Sequence, residues 1–587
     1  MQISAIFAPL LLLGAVQAQT VLRQCAIQGD GGYNVARTHD ATSGACSAAG
    51  GVLGTTQGGT IARGLACCTV PEANRGTFND RCRQFSDDRG LRGDREVGQT
   101  WGCWGRRGNA IISWAALPAL AALVVFGYLC RLNWAMSTVP EDIQREAEKN
   151  AWTDAELQKT YDRIVASPLD SLPFLPPKLD RRYVVVGGSG LVGGWLVLQL
   201  LAQGHDPSSI RIVDFRPPTR KDLTSGPASA VPFVQADMTS SSSINAAFSH
   251  PWPSAVASRP LTVFHTAAVI RPSERSVDTY DRCRVPNLVG TANVLSGARA
   301  AGASVFILTS SCSIALRPVS WFSTPPWRAF PDNYVQTMTT DDFFAPIGSH
   351  ADFFSNYARS KAEAERLVCA ADAPGFRTGT IRPGNGVYGS PDDLLLGSTL
   401  RLGTIPTFTA PWVQNWVHGA NVALAELQLE AALLGPHANA GMAGRPFLVT
   451  DPGPPPRFRD SYAALELLAN SPVKILYPPP VLMLLMAAAI ETWCTVVRRL
   501  GLKWEPEPPL YFLQPACFDA AICSIIDDAD ARKGPAEGGI GYRGAFTTME
   551  GVCQQIADWN RGLAKEGGEV EQKGVLEAIP EPMARKA

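Results

Sequence analysis

The stretch Tyr183-Val-Val-Val-Gly187-Gly188-Ser189-Gly190-Leu191-Val192-Gly193 limits the fold of this chain more than any other. A tyrosine followed by β-branched valines packs well on a pleated surface and reads as a strand. Glycines at intervals of three follow without a spacer, and an apolar run to Gln203, closed by Gly204, reads as a helix. A strand that turns this tightly into a helix leaves little choice of geometry. The first turn of the helix then presents free N–H groups and the positive end of its dipole to whatever lies in front of it. Gly187, Gly190 and Gly193 are placed to let the pyrophosphate of a dinucleotide approach the backbone. Glycines alone mark any tight turn; the strand before and the helix after make these a binding motif.

The alternation continues downstream. Short apolar runs at Ile210–Val213, Val231–Val234, Val263–Phe264, Val305–Leu308 and Thr378–Ile381 are separated by helical stretches. This pattern predicts an α/β fold, a Rossmann-type doubly wound parallel sheet with helices on both faces, followed by a smaller C-terminal substrate-binding region. Asp214 ends the second strand, where a carboxylate can accept hydrogen bonds from the adenosine ribose and repel a 2'-phosphate, which favours NAD as cofactor. Arg216 follows two residues on and could instead welcome that phosphate, and Asp214 could also be a plain strand-end turn residue. With 52 basic and 53 acidic residues and no basic block, nucleic acid is not expected as a partner.

The 587 residues exceed one domain, and the additions lie at the N-terminus. Residues 1–18 read as a signal peptide ending in Val-Gln-Ala. Residues 19–107 hold Cys25, Cys46, Cys67, Cys68, Cys82 and Cys103 and read as a disulfide-bonded segment of an oxidising lumen, with its pairing open. Residues 110–132 read as a transmembrane helix, with a buried core helix as the alternative. A helical stalk and Pro-rich linker over 135–180 carries a capping box at Thr153 and Glu156; the main domain covers 181–562, and 563–587 read as a disordered tail. Val481–Val497, apolar but interrupted by Glu491, suits a helix lying in or against a membrane surface. A cleaved signal and one span put the cysteine segment in the lumen and the main domain in the cytosol. The arginines argue the other way, since Arg89, Arg92, Arg95, Arg106 and Arg107 precede the span while Arg131, Arg145 and Lys149 follow it.

Further motifs appear in a fixed order: Gly187-x-x-Gly190-x-x-Gly193, Asp214-Phe-Arg216, Ala236-Asp237-Met238, His265-Thr-Ala-Ala268, Asn287-Leu-Val-Gly-Thr291, Thr309-Ser310-Ser311, Tyr357-Ala-Arg-Ser-Lys361, Ile381-Arg-Pro383 with Val387-Tyr-Gly389, and Gly541-Tyr-Arg-Gly. In that order, over about two-thirds of the chain, the sequence resembles the extended short-chain dehydrogenases of the 3β-hydroxysteroid dehydrogenase and sterol-4α-carboxylate 3-dehydrogenase family. The resemblance implies a membrane-bound oxidoreductase, of the endoplasmic reticulum, that takes a 3β-hydroxyl of a sterol or steroid-like molecule to the ketone, with or without loss of a 4-carboxyl group. It leaves room for a homodimer. By resemblance Ser311 hydrogen-bonds the reacting oxygen and Asp237 touches the adenine. Tyr357 and Lys361 lie one helical turn apart. The Lys361 ammonium is expected to stabilise the Tyr357 phenolate, which takes the hydroxyl proton as hydride leaves the adjacent carbon.

Cys312, His265 and His418 need no catalytic role; the histidines suit packing at strand ends. No metal site is expected. Trp321, Phe322, Trp327 and Phe330 lie among prolines in a connection longer than the family's, and either line a sterol pocket, dip into a membrane or pack as a surface loop. The cysteine segment stands outside the family pattern: it is either a lumenal domain or a separate small secreted protein fused to the enzyme by the gene model. Two other classes compete with an enzyme, a regulatory protein that senses NAD(P) without turnover and a cell-surface protein acting through the cysteine segment.

Overall fold

The computed structural model describes residues 20–23, 25, 28–29, 32–33, 35–55, 66–87 and 116–565, except 326 and 503. The chain divides into two compact units, Met1–Leu123 and Val124–Ala587. In the first, the strands Thr20–Arg23, Ala66–Pro71 and Val52–Thr55 form an antiparallel sheet in that order, beside the helices Val35–Ala48 and Arg75–Asp87. Its small core is Ala41, Ala45, Val70 and Phe78, and disulfides join Cys25 to Cys82 and Cys46 to Cys68. A core this small gains much of its stability from crosslinks. The signal peptide, Cys103, the start of the expected span and the tail beyond 565 lie outside the described residues.

The second unit is built on a parallel sheet of seven strands: β1 (Arg182–Val186), β2 (Ile210–Asp214), β3 (Phe233–Gln235), β4 (Leu261–His265), β5 (Ala303–Thr309), β6 (Arg377–Pro383) and β7 (Pro446–Val449). Their spatial order is β7-β6-β5-β4-β1-β2-β3, so the winding reverses between β1 and β4. In such sheets the crevice beyond the carboxyl ends of the strands, at the reversal, is where ligands bind. Helices α1 (Leu191–Ala202) and α4 (Gly419–Leu434) cover one face, and α2 (Gly290–Ala300) and α3 (Asn356–Ala370) the other. Because both faces are covered, most strands are buried nearly throughout, β4 and β7 at every position, and β6 even where it carries Thr378, Thr380 and Arg382. The third strand starts two residues later than its apolar run suggests. β7 escapes sequence reading because it is short, begins with proline and lies between loops.

The helix Asp154–Ala166 does not stand free as a stalk. Thr153 caps it in the expected box with Glu156, but Leu157 and Ile164 on its inner face are fully buried. It packs against the C-terminal helix Thr548–Lys565, where Arg163 pairs with Glu550 and Asn560 donates to Tyr161. Apolar residues at helical spacing are buried against a neighbour here, which is incompatible with a solvated rod.

The apolar helix Ala116–Met136 extends past the expected end of the span, and its last turns are part of the domain. Leu132 and Met136 are buried, the Trp412 indole donates to the Met136 carbonyl at 2.9 Å, and the Tyr128 hydroxyl donates to the Trp321 carbonyl at 3.2 Å. The aromatic connection is thereby resolved as a packed loop: Trp321 is buried and stacked on Trp412, and Phe330 is stacked between Tyr334 and Trp134. Trp327 alone among the four expected aromatics projects strongly, 81% exposed. The helix Pro480–Arg499 buries Val481, Leu484, Ala487 and Val497 on the domain and leaves Leu482, Met486 and Trp493 outward.

Candidate active site

The turn from β1 into α1 requires glycine at two places. Gly187 has φ +87°, and a Cβ there would lie 2.5 Å from the Ala267 nitrogen. At Gly193 a Cβ would lie 2.3 Å from the Gly187 carbonyl oxygen, so the first turn of α1 could not close against the end of β1. Gly190 is the N-cap of α1, and no side chain caps it, which leaves the first N–H groups of the helix directed at the crevice. Donors that ordinary proteins cap are here left open in a concave, backbone-lined cradle, and the cradle fits a dinucleotide pyrophosphate.

Asp214 closes the rim of this cradle. Its carboxylate accepts from the Ser189 N–H at 3.1 Å and the Phe215 N–H at 2.7 Å, while burial pushes its pKa up against those bonds. The turn-residue and ribose-binding readings therefore do not exclude each other, since the carboxylate already braces the glycine turn. Asp237 is exposed at the end of β3, where one oxygen accepts from both the Thr239 N–H and hydroxyl and so organises the next helix. Arg220 was not anticipated: its guanidinium donates to the Leu191 carbonyl at 3.1 Å and lies 5.5 Å above the Trp195 ring, beside the cradle.

Across the crevice, Ser311 follows β5 and Tyr357 sits in the first turn of α3. The start of α3 is fixed by the Ser355 hydroxyl, which accepts from the Ala358 N–H, and by the Asn356 N–H, which donates to the Glu274 carbonyl at 2.7 Å. Burial pushes the Tyr357 phenol up to about 12, and the nearby Ser311 hydroxyl, which meets the Ser313 hydroxyl at 2.8 Å, pulls the other way. Lys361 stands one turn on and is 2% exposed; its ammonium donates to the Thr309 carbonyl at 2.6 Å, and burial pulls it down to about 8. The structure thus brings Ser311 to Tyr357, whereas the ammonium of Lys361 is tied to the end of β5.

Asn287, only one member of an ordered motif in the sequence, ties the site together. It lies in a π-helical turn, Val285–Val289, and its amide bonds the Val269 backbone in both directions and donates to Ser360 at 2.9 Å. Ser360 lies between Tyr357 and Lys361 on α3. Such wide turns occur frequently at functional sites, and here the turn lets one side chain connect the β4 loop to the helix that carries Tyr357. His265 meets the Thr291 hydroxyl at 3.0 Å and is pulled down to about 3 by burial, and His418, also near 3, accepts from the Ala420 N–H at the start of α4. Both rings are neutral and structural at neutral pH. Cys312 is buried, and burial raises its thiol to about 12, far from a nucleophile's range.

Residues 184–467 match the model of the 3-beta hydroxysteroid dehydrogenase/isomerase family. Over these residues, just under half of its length, the chain is similar to that family. Among relatives, the 3 beta-hydroxysteroid dehydrogenase/Delta 5-->4-isomerase of Mycobacterium tuberculosis is 26% identical over 390 residues, 64% of this chain and 89% of that protein. The human sterol-4-alpha-carboxylate 3-dehydrogenase, decarboxylating, is 27% identical over 272 residues, 43% of this chain and 60% of that protein's length. Among solved structures, the Thermus thermophilus UDP-glucose 4-epimerase in complex with NAD is similar at 19% identity and a TM-score of 0.41, over 65% of this chain and 99% of that one.

Proposed function

We propose that this protein is an NAD-dependent dehydrogenase that oxidises the 3β-hydroxyl of a sterol or steroid-like substrate. The observation that carries the reading is the placement of Ser311 and Tyr357 together at the carboxyl edge of the sheet, across from the Gly187–Gly193 cradle, in a chain similar to the 3-beta hydroxysteroid dehydrogenase/isomerase family. Ser311 donates a hydrogen bond to the substrate oxygen, and Tyr357, as phenolate, takes the hydroxyl proton as the carbonyl forms. The dinucleotide supplies the acceptor for the hydride that leaves the same carbon. Its pyrophosphate would be held at Gly190 and the start of α1, its ribose at Asp214 and its adenine beside Asp237. A phenol that burial holds near 12 is a poor base at neutral pH, so the charge of Lys361 and the positive ring of the bound dinucleotide are needed to bring it down.

Asp214→Ala is expected to narrow the preference for NAD over NADP by about tenfold, or about 1.4 kcal/mol, since the carboxylate that repels a 2'-phosphate is gone. Titrating both dinucleotides into wild-type and variant protein measures this. Tighter binding of NADP than NAD by the wild type contradicts the assignment.

The substrate we favour carries a carboxyl group on C4. Oxidation of C3 then produces a β-keto acid, whose ketone accepts the electron pair left when carbon dioxide departs, so no further catalytic group is needed. The similarity to the human decarboxylating enzyme supports this branch. Two apolar helical stretches, Ala121–Lys149 and Pro480–Arg499, long and apolar enough by length and composition to cross a membrane, support a membrane setting, in which a poorly soluble sterol is at hand. We place it at the endoplasmic reticulum. Incubation with NAD and either a 4-carboxysterol or a plain 3β-hydroxysteroid tests the reading: carbon dioxide release with ketone formation is expected from the first. Turnover of plain hydroxysteroids alone removes the decarboxylating step and leaves the dehydrogenase.

A further inference from the structure

Helix α4 carries two carboxylates that the chemistry above does not use. Glu426 and Glu430 lie one turn apart on its sheet-facing side, 0% and 2% exposed. Glu430 is matched: the Thr262 hydroxyl donates to it, and the Arg181 Nε lies 3.3 Å away. Glu426 has no such cation in contact among the described residues. The Thr309 hydroxyl donates to its Oε1, and its Oε2 is buried without a hydrogen-bond partner among the described residues. Burying a carboxylate oxygen unsatisfied is costly and needs an explanation in the surroundings.

The explanation lies on the other face of the sheet. Lys361, from α3, donates to the carbonyl of the same Thr309 whose hydroxyl donates to Glu426. Ammonium and carboxylate approach one residue at the end of β5 from opposite sides, in a region closed to water. Opposite charges in such a region act on one another well beyond contact distance. We propose that Glu426 is a positioning residue for Lys361, its carboxylate holding the ammonium charged across Thr309 so that Lys361 can support Tyr357. The inference rests on the dehydrogenase reading of Tyr357 and Lys361.

The other charged groups nearby do not replace it. Glu365 on α3 acts on Lys361 more strongly than Glu426 does, but it is already committed to Arg382, which binds it through two nitrogens at 2.6 and 2.9 Å and reaches Asp342 as well, whereas Glu426 has no such cation in contact among the described residues. Glu430 belongs to Arg181, and His265 and His418 are neutral. Helix α1, packed along α4, contributes no titratable side chain. Burial drives Glu426 up and Lys361 down, with each charge opposing the other's shift, so the two titrate as a pair.

The pair is tested without cofactor by the pH dependence of thermal unfolding in four proteins: wild type, Glu426→Gln, Lys361→Met and the double variant. Glu426 is an acid whose folded-state pKa lies above its ordinary 4.5, so the folded state loses stability as pH rises above that value until Glu426 is ionised. Glu426→Gln is expected to remove that fall, and Lys361→Met to carry it to higher pH, because the cation that offsets the carboxylate is gone. The double variant should follow Glu426→Gln. Additive effects across the cycle mean that the two groups do not interact, and overturn the proposal.

The pH profile of turnover gives the second readout. In Glu426→Gln the descending limb, set by loss of the Lys361 proton, should move down by about one pH unit, while KM for the steroid changes less than about twofold. Glu426→Asp should restore the limb. A profile lowered uniformly, with both limbs in place, assigns Glu426 to structure alone and overturns the proposal. Absence of NAD-linked turnover in the wild type defeats the dehydrogenase reading instead, and the stability cycle still decides whether the two charges are coupled.

Discussion

Replacing Tyr357 by phenylalanine is expected to lower NAD-linked turnover by about 10²–10⁴-fold, the usual worth of a positioned acid–base group. The change removes a single oxygen. The ring stays where α3 holds it, since Ser355 and Asn356 fix the start of that helix through bonds that do not involve the phenol. Dinucleotide binding should therefore stay within about twofold of wild type, and the loss should fall on kcat rather than on KM. Stopped-flow absorbance at the nicotinamide band separates the chemical step from product release. Turnover within a factor of a few of wild type would mean that another group takes the proton. Ser311→Ala should cost less, because Ser311 orients the oxygen without accepting its proton for good.

The second large effect is expected at the cradle. Gly193→Val places a branched side chain where a Cβ alone would already stand 2.3 Å from the Gly187 carbonyl and 2.7 Å from the Thr266 hydroxyl. Neither obstacle can swing aside freely, because one is backbone and the other bonds the Val186 and Gly187 carbonyls. Either α1 retreats from β1 or the turn opens, and both displace the N–H groups that face the pyrophosphate. Dinucleotide affinity should fall by at least about a hundredfold, or about 2.7 kcal/mol, with Gly193→Ala giving a smaller loss in the same direction. Calorimetric titration of variants that retain a cooperative thermal transition measures it. Unchanged affinity in the valine variant would place the dinucleotide elsewhere.

The two predictions differ in how far the sequence alone supports them. The cradle is a local feature: Tyr183 to Gly204 forms its strand, turn and helix from neighbouring residues, and the glycines mark the turn through their spacing. Tyr357 and Lys361 are also local, since helical pitch puts them on one side of α3. The partners of that pair are distant in sequence. Thr309 and Glu426 are 117 residues apart and meet only because α4 lies across the ends of β5 and β6. An isolated glutamate in an apolar helix gives no sign of what it faces. Asn287 is similar: its amide bridges Val269 and Ser360, which no periodicity connects.

The N-terminal region shows the same division. The capping box at Thr153 could be read in advance because cap and acceptor are three residues apart. Whether the helix it starts stands free or packs could not, because that depends on the inner face of Thr548–Lys565, nearly four hundred residues on. The aromatic connection also admitted pocket, membrane or packed loop equally well until Trp412 was found stacked on Trp321. The elements, the glycine turn and the spacing of Tyr357 and Lys361 are legible in the residues alone, since propensity, turn chemistry and helical pitch act over a few residues. Which buried charges face one another and which apolar surfaces are covered follows from packing instead, because burial and pairing are properties of the space between elements rather than of any element alone.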